Sequence, residues 1–186
     1  MGITKRAAAV CAVLVAGTLL ACGDDNDRAI PQAIREPLGR AGIQTLRQKE
    51  ALVDFTLPFL DGAEKTLSAY KGRVVFLNFW ATWCPPCREE MPSMETLYQR
   101  FREQGLEFIA VDIQESGDAV QAFITAKGLH FPVALDESGS VAARYGVSAI
   151  PTTYIIDREG FVIAGVRGAR RWDTPQVYEA FEALLK

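Results

Sequence analysis

The run Val74-Val75-Phe76-Leu77-Asn78-Phe79-Trp80 is apolar at all but one position and passes through Ala81-Thr82-Trp83 into Cys84-Pro85-Pro86-Cys87-Arg88. A continuous apolar run of this length reads as a strand buried on both faces. Beyond it, a helical stretch from about Pro86 to Gln104 carries Met91, Met94, Leu97, Tyr98 and Phe101 on one side, with proline at its start. Two cysteines two residues apart therefore fall where a central strand turns into a helix. Cys84 lies at the positive end of that helix, where unpaired N–H groups and the macrodipole favour a thiolate. A thiol so placed typically has its pKa lowered from about 8.5 to roughly 3.5–7.5. The geometry makes Cys84 a nucleophile and Cys87 its resolving partner.

Two plainer readings compete. A structural disulfide closing a loop of about four residues would contribute only about 2 kcal/mol before strain, and stapling bonds usually close longer loops. A zinc site needs four ligands from Cys, His and carboxylate, whereas this chain has one histidine, His130. The strand-to-helix setting favours redox chemistry.

Residues Phe79 to Met91, FWATWCPPCREEM, resemble the active-site segment of the TlpA/ResA-like family of thioredoxin-fold, extracytoplasmic thiol-disulfide oxidoreductases. The similarity runs from about Ala51 to the C-terminus. It implies an α/β thioredoxin fold: a central mixed sheet flanked by helices, with an N-terminal β-hairpin and a central helix-strand insertion.

The chain has 186 residues, 49% of them hydrophobic, enough for one good core and one domain. A net charge of −3 leaves no basic footprint for nucleic acid. Lys5 and Arg6 precede an apolar run, Ala7 to Ala21, that is short for a bilayer span. Its end, Leu19-Leu20-Ala21-Cys22, resembles the lipobox of bacterial lipoproteins. That likeness implies cleavage after Ala21 and a lipid on Cys22, against the alternatives of an ordinary signal peptide or an uncleaved anchor. Residues 1–21 are thus expected to be a signal peptide, 22–50 a tether, and 51–186 the thioredoxin-like domain. With Cys11 in the signal and Cys22 carrying lipid, Cys84 and Cys87 remain to pair in a compartment where disulfides persist. Two acyl chains would hold the protein stably to a membrane.

The tether has charges, two prolines and no sustained period, with room for a short helix near Ile43 to Ala51. Leu52 to Leu57 alternates, Asp61-Gly62 is a turn signal, and Lys65 to Leu67 returns as a second strand, matching the family's hairpin. Ser68 to Gly72 reads as a short helical turn. Leu106 to Val111 is the next strand. A helix from Asp118 to about Lys127 stops at Gly128, and Phe131 to Leu135 is a short strand. A helix capped by Ser138 or Ser140 then ends near Tyr145-Gly146. Thr152–Ile156 and Phe161–Val166 form a hairpin across Asp157-Arg158-Glu159-Gly160. Thr174-Pro175 opens the closing helix, Pro175 to Leu185.

The resemblance assigns further residues. Pro151 matches the cis-proline that packs against the cysteine pair in thioredoxin folds, leaving the Ile150 backbone free to pair with a substrate strand. The buried aspartate of thioredoxin is replaced here by Asn78, which cannot take a proton. ResA-like members instead place a glutamate after the next strand, where Glu115 stands. Glu115 is expected, half-buried, to accept or relay the Cys87 proton; a solvated loop carboxylate is the alternative. Pro85 and Pro86 lack N–H groups that could stabilise a Cys84 thiolate, which leans the pair toward a reductant. Trp83 reads as a ring facing the partner protein, Trp80 as core and His130 as structural. Arg88, Glu89 and Glu90 read as a solvated first turn, and Arg167, Arg170 and Arg171 as solvated surface.

The resulting expectation is a membrane-tethered thiol-disulfide oxidoreductase on the extracytoplasmic (periplasmic) side that reduces protein disulfides. Electrons come from a membrane thiol-disulfide carrier. The family relationship adds the cysteine pair of an apocytochrome c as a substrate. No cofactor or metal is called for. The rivals are an oxidase or isomerase, a peroxidase, and a copper-binding assembly protein.

Overall fold

The computed structural model describes residues 28–186. The expected signal peptide and Cys22 lie outside the described residues. Six strands form one mixed sheet: β1 (Gln44–Ala51), β4 (Val74–Trp80), β5 (Leu106–Ile113), β6 (Val133–Asp136), β7 (Thr152–Ile156) and β8 (Phe161–Arg167). Their order is β1-β8-β7-β4-β5-β6. β4, β5 and β6 run parallel, and the β7–β8 hairpin and β1 complete the sheet antiparallel. The apolar run Val74–Trp80 is β4, buried at every position between β5 and β7.

Alternation along β4 sorts the core. Phe76 and Trp80 join Met91, Met94, Leu97 and Phe101 of α2 (Pro85–Phe101) on one face. That face also holds Leu38 of α1 (Gln32–Arg40), Val120 and Ile124 of α3 (Gly117–Lys127), and Val177 and Phe181 of α5 (Pro175–Leu184). Val75, Leu77 and Phe79 point to the other face, against Phe55, Leu57, Val141 and Ala142. The last two belong to α4 (Ser140–Arg144).

Helix ends follow their residues. Gly128 closes α3 at φ 62°, left-handed backbone that glycine adopts without a Cβ clash. The Thr174 hydroxyl caps α5 through the Val177 N–H, with Pro175 next. α4 departs from expectation: Gly139 rather than a serine is its N-cap residue, and the Asp136 carboxylate accepts from the Ala142 N–H at 2.8 Å.

The N-terminal segment corrects the sequence reading. Part of the expected tether, residues 22–50, is folded: α1 packs on α5, Leu38 and Ile43 are buried, and β1 pairs with β8 from Gln44↔Gly165 to Ala51↔Phe161. The residues that suggested a short helix at Ile43–Ala51 form a strand because β8 offers an open edge, and that pairing outweighs helix propensity. The hairpin is also shifted, with β2 (Thr56–Pro58) paired to β3 (Glu64–Thr66) in place of Leu52–Leu57 and Lys65–Leu67. It is tied to β6 by the Phe59↔Ala134 bridge.

Candidate active site

β4 ends at Trp80, and four residues later Cys84 is the N-cap of α2, with φ −90° and ψ 104°. Pro85 and Pro86 occupy the first two helical positions, so the first available helix donor is the Cys87 N–H, which reaches Cys84 Sγ at 3.2 Å. Cys84 and Cys87 are joined by a disulfide, their Cα atoms 5.3 Å apart. Cys87 is wholly buried, while Cys84 sits beside Trp83, which is 59% exposed. The Ile150–Pro151 peptide bond is cis, and the Ile150 carbonyl oxygen lies 3.8 Å from Cys84 Sγ. The β4–α2 turn and the loop before β7 thus bring Trp83, Pro85, Pro86, the two sulfurs and the Ile150–Pro151 peptide together.

Glu115 is half-buried, as expected, and its carboxylate is engaged with Thr82. The Thr82 N–H donates to one oxygen at 2.6 Å and the Thr82 hydroxyl to the other. It therefore holds the turn two residues before Cys84. Behind it, Asp112 at the end of β5 is fully buried, in register with Trp80. Burial, then a hydrogen bond and charge from Glu115, push the Asp112 carboxyl up to about 8.

Glu90 overturns the expectation of a solvated first turn. Arg88 and Glu89 are exposed, but Glu90 is buried. Its Oε1 accepts from Asn78 Nδ2 at 3.1 Å, and its Oε2 from Trp172 Nε1 at 3.1 Å and the Arg170 N–H at 3.2 Å. Asn78 also donates to Thr153 Oγ1 at 2.9 Å, joining α2 to β7 just past Pro151. Burial raises the Glu90 carboxyl to about 7, against the opposing pull of the Trp172, Arg170 and Asn78 hydrogen bonds. Arg170 is likewise not free surface: it donates to the Ala41 and Gly42 carbonyls and lies 4.9 Å over the Trp172 ring. Trp172 carried no signal in the sequence reading. Glu90 did: Cys87, Glu90, Met94, Leu97 and Phe101 recur at helical spacing and form one core-facing stripe.

A pH dependence of stability follows from Glu90. Its carboxyl titrates near 7 when folded against an ordinary value of 4.5, so the native state binds more protons between those limits. Its contribution is therefore full in acid, falls as pH rises through that window by at most about 1.4 kcal/mol per pH unit, and is flat above it. Urea unfolding of the oxidised protein should show this decline, and Glu90→Gln should make it shallower, leaving the share that the raised Asp112 carboxyl contributes. Equal slopes in the two proteins would contradict the assignment.

A disulfide at a helix N-cap, flanked by an exposed tryptophan and a cis-proline, on a thioredoxin-type sheet, defines a thiol-disulfide oxidoreductase. Comparison with known proteins agrees. The chain is 42% identical over 133 residues to thiol-disulfide oxidoreductase ResA of Bacillus thuringiensis subsp. konkukian, covering 72% of this chain and 73% of that one. It is 42% identical over 128 residues to ResA of Bacillus subtilis, covering 69% and 72%. The crystal structure of a putative thiol:disulfide interchange protein DsbE from Chlorobium tepidum superimposes with a TM-score of 0.68 at 33% identity, over 74% of this chain and 97% of that one. Residues 49–164 match the AhpC/TSA family, and the chain belongs to that family.

Proposed function

We propose that the protein is a disulfide reductase working outside the cytoplasm, held to a membrane through lipid on Cys22. The observation that carries the reading is the Cys84–Cys87 disulfide at the α2 N-terminus, facing the Ile150 carbonyl and a bare tryptophan. In the reduced enzyme the Cys84 thiolate attacks a partner's disulfide, forming a mixed disulfide and releasing one partner thiolate. The Cys87 thiol loses its proton and attacks Cys84 Sγ, which restores the intramolecular disulfide and releases the partner as a dithiol. Two electrons from a membrane thiol-disulfide carrier then reset the pair. The partner strand lies against Ile150 and the exposed Trp83, Pro85 and Pro86. The substrate class we assign is the cysteine pair of an apocytochrome c, by analogy with the family.

The direction of electron flow rests on missing donors. Both prolines withhold an N–H from Cys84 Sγ, leaving only the Cys87 N–H, so the thiolate of the reduced form is less stabilised. That lowers the reduction potential toward the thioredoxin value of about −270 mV; a potential near −120 mV, as in a DsbA-type oxidase, would reverse the assignment. Equilibration of the oxidised protein with a thiol buffer of known potential measures it.

Glu115 is assigned the relay of the Cys87 proton, acting from its place on the Thr82 turn. Glu115→Gln should slow resolution of a mixed disulfide at neutral pH by roughly 10- to 100-fold, within the range of general-base contributions. Stopped-flow measurement with a fluorescent mixed disulfide tests this, and an unchanged rate sinks it.

A further inference from the structure

Asp112 is the buried ionisable group that the thiol chemistry above leaves unused. Among the described residues no N–H or hydroxyl donates to either of its carboxyl oxygens, although the side chain has no contact with solvent. Its neighbours in register, Trp80 on β4 and Leu135 on β6, carry no charge. Among the described residues Glu115 is the one charged group that acts on it, from any element. An ionised Asp112 would thus be a desolvated anion beside a second anion, an arrangement proteins avoid by neutralising one group. Two carboxylates only accept hydrogen bonds, so in that state they cannot bond to one another. One proton between them changes this: Asp112 becomes a donor, Glu115 its acceptor, and the oxygen left without a partner belongs to a neutral group.

The charge is placed by the other contacts. Glu115 already receives the Thr82 N–H on one oxygen and the Thr82 hydroxyl on the other, so both its oxygens serve as acceptors. The proton therefore resides on Asp112. We propose that Asp112 and Glu115 share one proton at neutral pH, Asp112 donating it to Glu115, and that this bond fixes the Glu115 carboxylate on the Thr82 turn that carries Cys84. Asp112 is in this sense a positioning residue, acting on the sulfurs through Glu115 and Thr82. Loss of the shared proton sets two negative charges against each other and loosens the grip on Thr82. The carboxyl value of about 8 puts that change just above neutrality.

Infrared difference spectroscopy of the full-length oxidised protein tests the first half without relying on the proposed reductase activity. The wild type should show protonated-carboxyl absorption at pH 7, part of it from Glu90 and part of it titrating away near pH 8. Asp112→Asn should lack the part that titrates near pH 8, whereas Glu90→Gln should retain it. A component near pH 8 that persists in Asp112→Asn, or a Glu90→Gln protein with no protonated carboxyl at pH 7, overturns the proposal.

The second half is read from pH profiles of kcat/KM for reduction of a small aromatic disulfide, and only this half rests on the thiol chemistry. Asp112→Leu, which cannot donate, should lose roughly tenfold at pH 7, the scale of one hydrogen bond to a charged group. Asp112→Asn keeps an N–H donor and should recover most of that loss, while missing the wild type's decline above pH 8. Profiles that superimpose for the wild type and Asp112→Asn would overturn the positioning role even if the infrared band behaves as expected. Should Asp112→Leu fail to fold, the wild type and Asp112→Asn decide the question between them.

Discussion

Cys84→Ser is expected to abolish disulfide reduction, and Cys87→Ser to arrest it halfway. The two sulfurs are not equivalent. Cys84 is the helix N-cap, next to an exposed tryptophan and within 3.8 Å of the Ile150 carbonyl, whereas Cys87 lies one turn into α2 with no exposure at all. Cys84, itself 3% exposed, is the sulfur nearer the surface, so in the proposed mechanism its loss removes the nucleophile, and turnover should fall by on the order of 10³ or more, toward the uncatalysed exchange. In Cys87→Ser the first attack still occurs but nothing displaces the partner, which stays bound to Cys84. Mass spectrometry of the mixture should then show one covalent adduct per protein, discharged by an added thiol. The same adduct, trapped in the host, would identify the physiological partner: a cytochrome would establish the maturation role, and many unrelated proteins a general reductase. Unfolding does not account for either effect, because breaking a disulfide that closes about four residues costs only about 2 kcal/mol. Full turnover by Cys84→Ser would end the redox reading.

The parts of this site legible in the sequence were the local ones. β4, α2, the β7–β8 hairpin and α5 announce themselves by unbroken apolar runs, helical spacing and turn residues, and the structure moves their ends by no more than three residues. Cys84 and Cys87 belong to a short motif whose neighbours in sequence are also neighbours in space, whereas Pro151 reaches them from the loop before β7, a contact that only the family resemblance supplied. The network around Glu90 is different. Its donors come from Asn78, Arg170 and Trp172, as many as 82 positions away, and no local pattern links them. Composition misled there: three charged residues in a helical first turn suggest solvent, yet Glu90 belongs to the same stripe as Met94 and Leu97. Asp112 was hidden in the opposite way, as one of two polar letters in the strand Leu106–Ile113, where its surroundings depend on how β4 and β6 align with it. At the N-terminus Gln44–Ala51 is polar and half-buried at most, which suits a tether or a short helix as well as a strand. Such composition hides an edge strand, because an edge strand needs only backbone partners.

That last point carries the second large effect: a chain starting at Ala51, the boundary the sequence suggested, should lose most of its stability. Such a chain lacks Leu38 and Ile43, which are 0% and 1% exposed against the α2–α5 face. It also lacks all but the last residue of the strand that covers the β8 edge, and the Ala41 and Gly42 carbonyls that hold the Arg170 guanidinium. Truncating one buried leucine to alanine already costs about 2–5 kcal/mol, and whole domains are stable by only about 5–15 kcal/mol. Leu38→Ala alone should therefore lower the urea midpoint clearly, and the deletion should leave the domain unfolded or close to it at 37 °C. The site would feel the change through one loop. Arg170 donates its backbone N–H to Glu90 while its side chain grips the α1–β1 connection, so releasing that grip loosens a ligand of the acid one turn beyond Cys87. Circular dichroism against urea for the full chain, Leu38→Ala and the deletion decides the matter. A deletion that unfolds at the parent's midpoint would return residues 28–50 to the role of a tether.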